Sequence, residues 1–192
     1  IGVDLLGHGD APKPHDPADY ADLTERVVDA LPDGPVDAVG FSLGALTLLR
    51  TAADDPRRFR RLVLAGIGRN VFERDAEASA RIIAAVEGAD TTDNTARLFA
   101  QYANQPGNDA TALAAVMRGS SGRSWTEDDL AAIDIPVLVA VGDNDFVAPA
   151  DRLVDALPDA RLATLRRTDH FATPESFEFI DATLEFLDAV PA

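Results

Sequence analysis

The sequence predicts an α/β protein. Two observations carry the prediction. Strand-like apolar runs alternate with helix-like amphipathic segments along most of the chain, the pattern of helices packed against a sheet. The 192 residues are 46% hydrophobic and 26% charged, an ordinary composition for a folded globular domain. At about 100–200 residues per domain, that length is one domain with room for a small appendage.

Residues 1–3 read as the tail of a strand, and 7–14 as a turn-rich loop. Asp16 is placed to cap a helix with Pro17 at its first position. Tyr20, Leu23, Val27 and Leu31 then recur at helical spacing on one face, and the prolines at 32 and 35 end that helix. Residues 36–41 form a short apolar strand, and Ser42 follows at once. Residues 43–53 form a buried helix in which Leu46, Leu49 and Ala53 share a face, and 62–65 the next buried strand.

From 71 to 132 the strand signal disappears. A helix over 75–87 sets Glu77 four residues before Arg81, and Gly88 is its C-terminal cap. Helical stretches near 94–102 and 109–117 are separated by Gly107 and Asn108. Residues 119–122 form a loop, and Thr126 with Asp129 makes a capping box for a last short helix. This insert interrupts the alternation and reads as a lid or cap. Its Phe72, Phe99, Tyr102, Met117 and Trp125 read mostly as core, with some lining an apolar pocket. The alternation resumes with a strand over 136–141, a loop over 142–149, a helix over 151–157 and a strand over 161–166. His170 lies in the next loop. Thr173 and Pro174 open the final helix, with Phe177, Ile180, Leu184 and Leu187 on its inner face.

Charge and composition exclude several function classes. Seventeen basic against 33 acidic side chains give a net charge of −16, which disfavours nucleic acid and other polyanions. A GC-rich coding sequence accounts for the excess of aspartate; adaptation to high salt is the alternative. There is no cysteine, so no disulfide framework, thiolate zinc site or thiol nucleophile. No tract reaches the roughly 18 apolar residues of a membrane span. No metal-ligand spacing or nucleotide-binding glycine motif appears, and no cofactor is expected. The run Arg57-Arg58-Phe59-Arg60-Arg61 reads as the charged end of a helix plus solvated linker, complementing the helix dipole.

Gly40-Phe41-Ser42-Leu43-Gly44 is a G-x-S-x-G pattern set between a strand and a helix. A sharp turn there strains the central residue, requires small neighbours two positions away, and exposes the hydroxyl above the sheet. The N–H of Leu43, at the helix N-terminus, is then available to an oxyanion. Such a hydroxyl needs a base. Of the three histidines, His15 lies among prolines and His8 in a turn, whereas His170 follows the last strand at the edge where Ser42 would lie. The base in turn needs a carboxylate, and Asp143 and Asp145 both follow the strand over 136–141. Asp145 is the choice and Asp143 the alternative. The order Ser42, Asp145, His170 differs from the orders of chymotrypsin and subtilisin.

With these pieces the chain resembles the α/β-hydrolase family of esterases, lipases and perhydrolases. The match is carried by Asp4-Leu5-Leu6-Gly7-His8-Gly9-Asp10, by the Ser42 motif, by 136–145 with Pro149, and by Asp169-His170-Phe171. The resemblance implies a mostly parallel sheet flanked by helices, with a core over 1–70 and 133–192 and a helical cap over 71–132. It favours Asp145, the acid of Gly142-x-x-Asp145. It implies a small-molecule acyl substrate, a small to medium ester cleaved through an acyl-enzyme. Perhydrolases, C–C bond hydrolases and some acyltransferases share the triad, and a non-catalytic ligand-binding relative or an inactive truncated product is the alternative. The absence of an Asp nucleophile argues against haloalkane dehalogenases and epoxide hydrolases.

The family's second oxyanion N–H comes from a loop after the third strand, often His-Gly. His8-Gly9 does not fit that place, because 9–40 holds one helix and one strand only. The motif from Asp4 to Asp10 instead follows the fourth strand, which makes His8 a turn residue. The chain is therefore expected to be N-terminally truncated relative to the family. A cytoplasmic location is expected, and the oligomeric state is open.

Overall fold

The computed structural model describes residues 1–120 and 125–189. The described helices are α1 (Thr24–Ala30), α2 (Leu43–Asp54), α3 (Ala76–Val86), α4 (Asn94–Ala103), α5 (Ala110–Gly119), α6 (Glu127–Leu130), α7 (Asp151–Ala156) and α8 (Phe177–Phe186). The strands are β1 (Val36–Phe41), β2 (Phe59–Ala65), β3 (Val137–Gly142) and β4 (Ala160–Leu165). Two units emerge, Ile1–Ala30 with Arg74–Arg123 and Leu31–Glu73 with Ser124–Ala192.

The second unit is built on one sheet in the order β1-β2-β3-β4, and every neighbouring pair is parallel. Parallel neighbours need crossovers; α2 joins β1 to β2, and α7 joins β3 to β4. β2 and β3 lie inside the sheet, which is why Leu62, Val63, Leu64 and Ala65 are fully buried and read as an unbroken apolar run. Phe179, Ala182 and Phe186 of α8, and Leu187 just after it, pack with Val63, Leu138, Ala140 and Leu165. Parallel strands deliver all their C-terminal ends to one edge. The loops that begin at Ser42, Gly66, Asp143 and Arg166 all leave from there.

In the first unit, Val86, Ala103, Leu113 and Ala114 form a core, with Phe99, Tyr102 and Met117 packed against it. These side chains therefore act as core. Aspartates start the helices: Asp75, Asp93 and Asp109 accept from the amides of Ala78, Ala96 and Ala112. Gly88 closes α3 at φ +98°, where the Ala89 amide reaches back to the Ala84 carbonyl. The Thr126–Asp129 capping box is present in the second unit, where Trp125 is buried.

Several elements differ from the sequence reading. Residues 1–3 form no strand, since extension without a neighbouring ladder is not a strand. The helix expected after Asp16 breaks in two. A 3₁₀ turn over Pro17–Tyr20 ends at Ala21, and the Asp22 carboxylate accepts from the Thr24 amide and hydroxyl to start α1 afresh. The buried side of α2 centres on Ala45, Leu48, Leu49 and Ala52. Arg81 reaches Asp93 rather than Glu77. The loop expected over 119–122 lies partly outside the described residues, and α5 extends to Gly119.

The basic run is a helix end only in its first half: Arg57 and Arg58 close a 3₁₀ turn over Pro56–Arg58, and no linker follows. β2 begins at Phe59, and Arg60 and Arg61 both bond Asp37 on β1. Arg61 also donates to the carbonyls of Phe186 and Leu187 and to Asp188. It thus caps a helix C-terminus, but that of α8. At α8 the expected face is borne out at Leu187, which packs on the sheet, but is turned at the start of the helix, where Phe179 is buried whereas Phe177 is 82% exposed. Both stripes are apolar, and the sheet selects the one that fits it.

Candidate active site

β1 ends at Phe41 and α2 starts at Leu43, leaving Ser42 as the whole turn. Its φ of +51° is in a region that side chains other than glycine rarely occupy. The strain is held by the sheet, because the Ser42 amide donates to the Ala65 carbonyl at 2.8 Å. Gly40 is required by close approach: a Cβ there would stand 2.7 Å from the Ala45 amide nitrogen. Gly44 is not, since a Cβ there would meet nothing within 4 Å. The expectation that both flanking positions must be small holds for one of them only.

Two neighbouring loops supply the other candidates. The Asp143 amide donates to the Leu165 carbonyl and the Asn144 amide to the Thr168 carbonyl. Gly142 makes this approach possible, for a Cβ there would overlap the Thr168 carbonyl oxygen at 2.0 Å. Zipped in this way, the loops set Asp145 beside His170. Nδ1 of His170 is 2.9 and 3.1 Å from the two carboxylate oxygens of Asp145. Nε2 is 3.0 Å from Ser42 Oγ. Asp145 and His170 are both buried, and Asp145 also accepts from the Val147 amide. Asp143 is exposed.

The direction of the hydrogen bonds follows from the groups. An ionised carboxylate only accepts, so Nδ1 carries the hydrogen and Nε2 turns a lone pair toward the Ser42 hydroxyl. The arrangement is therefore chemically able to move a proton from Ser42 Oγ to His170. The remaining histidines belong to the first unit and have partners of their own. His8 is within 3.3 Å of the Leu6 carbonyl, and burial pulls its pKa below the ordinary value. His15 pairs with Asp109 at 2.9 Å. Asp4 accepts from the Asp10 amide, making residues 4–10 a self-bonded turn. Among the described residues no group of three metal-binding side chains occurs, and no helix is long and apolar enough to cross a membrane.

Sequence reasoning passed over four residues around the imidazole. Phe41, Phe146 and Phe171 place their rings against His170, and Gly66 leaves room for two of these rings, Phe41 and His170 itself. The available signal was adjacency: each phenylalanine is next in sequence to Ser42, Asp145 or His170.

Comparisons with known proteins agree with this architecture. The model of the alpha/beta hydrolase family matches residues 1–182. A pimeloyl-(acyl-carrier protein) methyl ester esterase of Neisseria meningitidis serogroup B / serotype 15 (strain H44/76) is 29% identical over 194 aligned positions, covering 88% of this chain and 74% of the relative. The crystal structure of the enol-lactonase from Burkholderia xenovorans LB400 superposes with a TM-score of 0.75 at 22% identity, covering 96% of this chain and 79% of that one. A serine hydrolase involved in carbazole degradation, the CarC enzyme, gives 0.67 at 26% identity over 97% of this chain and 78% of that one.

Proposed function

Because this chain belongs to the alpha/beta hydrolase family, we propose that it is a serine hydrolase cleaving a small to medium acyl ester, with Ser42, His170 and Asp145 as its triad. One observation carries the reading: the continuous chain of hydrogen bonds from Asp145 through His170 to Ser42. Ester substrates are favoured over other acyl compounds by the likeness to a methyl ester esterase.

In this reading His170 Nε2 takes the Ser42 proton as Oγ attacks the ester carbonyl. The tetrahedral oxyanion faces the N–H of Leu43 at the start of α2, a donor type worth about 10²–10³ in rate. The imidazolium, held by Asp145, returns its proton to the departing alkoxide, and the alcohol leaves. Water then attacks the acyl-Ser42, giving its proton to His170, and the carboxylic acid is released with Ser42 restored. The helical insert over 71–132 is the proposed cap, the segment that sets acyl or alcohol preference.

A fluorophosphonate probe tests the assignment. Labelling of Ser42, its loss in Ser42→Ala with an unchanged circular dichroism spectrum, and turnover of p-nitrophenyl acyl esters are expected. A folded protein that neither labels nor hydrolyses any ester of a graded chain-length series is instead a non-catalytic relative.

A further inference from the structure

Each member of the hydrogen-bonded chain has a phenylalanine as its immediate neighbour: Phe41 precedes Ser42, Phe146 follows Asp145 and Phe171 follows His170. All three rings meet at one imidazole. The Phe41 and Phe146 centroids are 4.8 and 4.7 Å from that of His170, tilted by 39° and 47°. Phe171 approaches edge-on at 5.7 Å and 79°. All three separations lie within the range over which aromatic pairs attract beyond simple burial, and Phe171 has the edge-on tilt such pairs favour.

The surroundings keep the rings there. Gly66 sits at φ +63°, and a Cβ at this position would stand 2.5 Å from Phe41 Cε2 and 3.1 Å from His170 Cε1. The carbonyl of Phe146 accepts from the Arg69 guanidinium at 2.9 Å. The Arg69 amide is shared between the Val147 and Pro149 carbonyls at 3.0 Å each. The loop carrying Phe146 is thus fastened to the loop after β2. Phe146 remains 36% exposed while His170 is 4% exposed, as expected of a ring that covers the imidazole.

We propose that Phe41 and Phe146 are positioning residues, whose rings hold the His170 imidazole in the plane where Nδ1 meets Asp145 and Nε2 meets Ser42. The role rests on the serine hydrolase reading; the geometry does not. An imidazole held only by two hydrogen bonds can rock about its Cβ–Cγ bond, and misalignment of a reacting group slows the proton transfer without weakening substrate binding.

The experiment compares Phe146→Leu with Phe146→Tyr on p-nitrophenyl esters, with the ring-proton resonances of His170 recorded for each. Leucine keeps an apolar cover but removes the ring, and kcat is expected to fall about tenfold at unchanged KM. Tyrosine keeps the ring and restores kcat to within about twofold of the parent. The ring-current shift of the His170 protons is expected to diminish in the leucine variant and persist in the tyrosine one. Phe41→Leu and Phe41→Tyr repeat the comparison, so a folding defect in one pair leaves the other to decide. An unchanged kcat in both leucine variants, an effect confined to KM, or tyrosine variants as slow as the leucine ones overturns the proposal. Absence of fluorophosphonate labelling in the parent overturns the serine reading instead, and exchange broadening of the His170 ring resonances in the leucine variants but not in the tyrosine ones still decides whether the rings hold the imidazole.

Discussion

The His170 imidazole reaches Ser42 Oγ at 3.0 Å across 128 residues of chain. Neither residue is drawn there by the other. Ser42 is set by the junction of β1 and α2, and His170 by a loop zipped to the one that follows β3. The placement of the imidazole is a property of the sheet edge and is expected to survive loss of the hydroxyl.

The choice between the two acids is open to direct test. Asp145 is buried against His170, whereas Asp143 is exposed. Asp145→Asn is expected to lower kcat by about 10⁴-fold, because an amide permits the wrong imidazole tautomer. Asp143→Asn is expected to stay close to the parent. Steady-state ester hydrolysis checks both, and comparable losses in the two variants would reject Asp145 as the orienting carboxylate.

The two glycines of the Ser42 motif are expected to behave differently. Gly40→Ala forces a Cβ to 2.7 Å from backbone atoms of Gly44 and Ala45, an overpacking that costs about 1–3 kcal/mol. Gly44→Ala enters open space within α2 and is expected to be neutral or to stabilise by up to about 1 kcal/mol. Urea denaturation of the two variants measures the difference. Equal destabilisation would show that both glycines are needed for packing.

Asp37 gives stability a defined dependence on acid. Hydrogen bonds from Arg61 and Arg60 hold its carboxyl below the ordinary value of 3.8. A carboxyl lowered by folding stabilises fully above its unfolded pKa, and that contribution is lost as pH falls through the lower folded value. Asp37→Asn is therefore expected to melt below the parent at pH 7. The gap should close as pH falls beneath 3.8. Thermal melts across that range check it, and a gap of constant size would mean that Asp37 acts through packing rather than charge.

Much of the fold was legible because its signals are local. The strands at 36–41 and 136–141 announce themselves as apolar runs, and the Thr126–Asp129 box and the Gly88 cap are complete within a few residues. The Ser42 turn is likewise readable, since a strand, a small residue and a helix start are adjacent. The ring cluster was legible only through adjacency, each phenylalanine being the neighbour of Ser42, Asp145 or His170; the rings carry no common spacing, and the folded sheet edge brings them onto one imidazole.

By itself the sequence determined the alternating α/β order and the strand-to-helix setting of Ser42; it offered His170 by its place after the last strand and left Asp143 and Asp145 both open, with Asp145 favoured by the family resemblance. The order and the Ser42 turn follow from periodicity and from backbone geometry over a few residues. The tertiary structure alone decided which stripe of α8 is buried, that Arg60 and Arg61 belong to a strand, and that Gly66 must lack a side chain. For α8 and the arginines, local sequence does not distinguish the alternatives. Phe179 and Phe177 are equally apolar, and Arg61 is as soluble in a linker as in β2. Contacts with residues distant in sequence, the sheet under α8 and Asp37 beside Arg61, supply the difference.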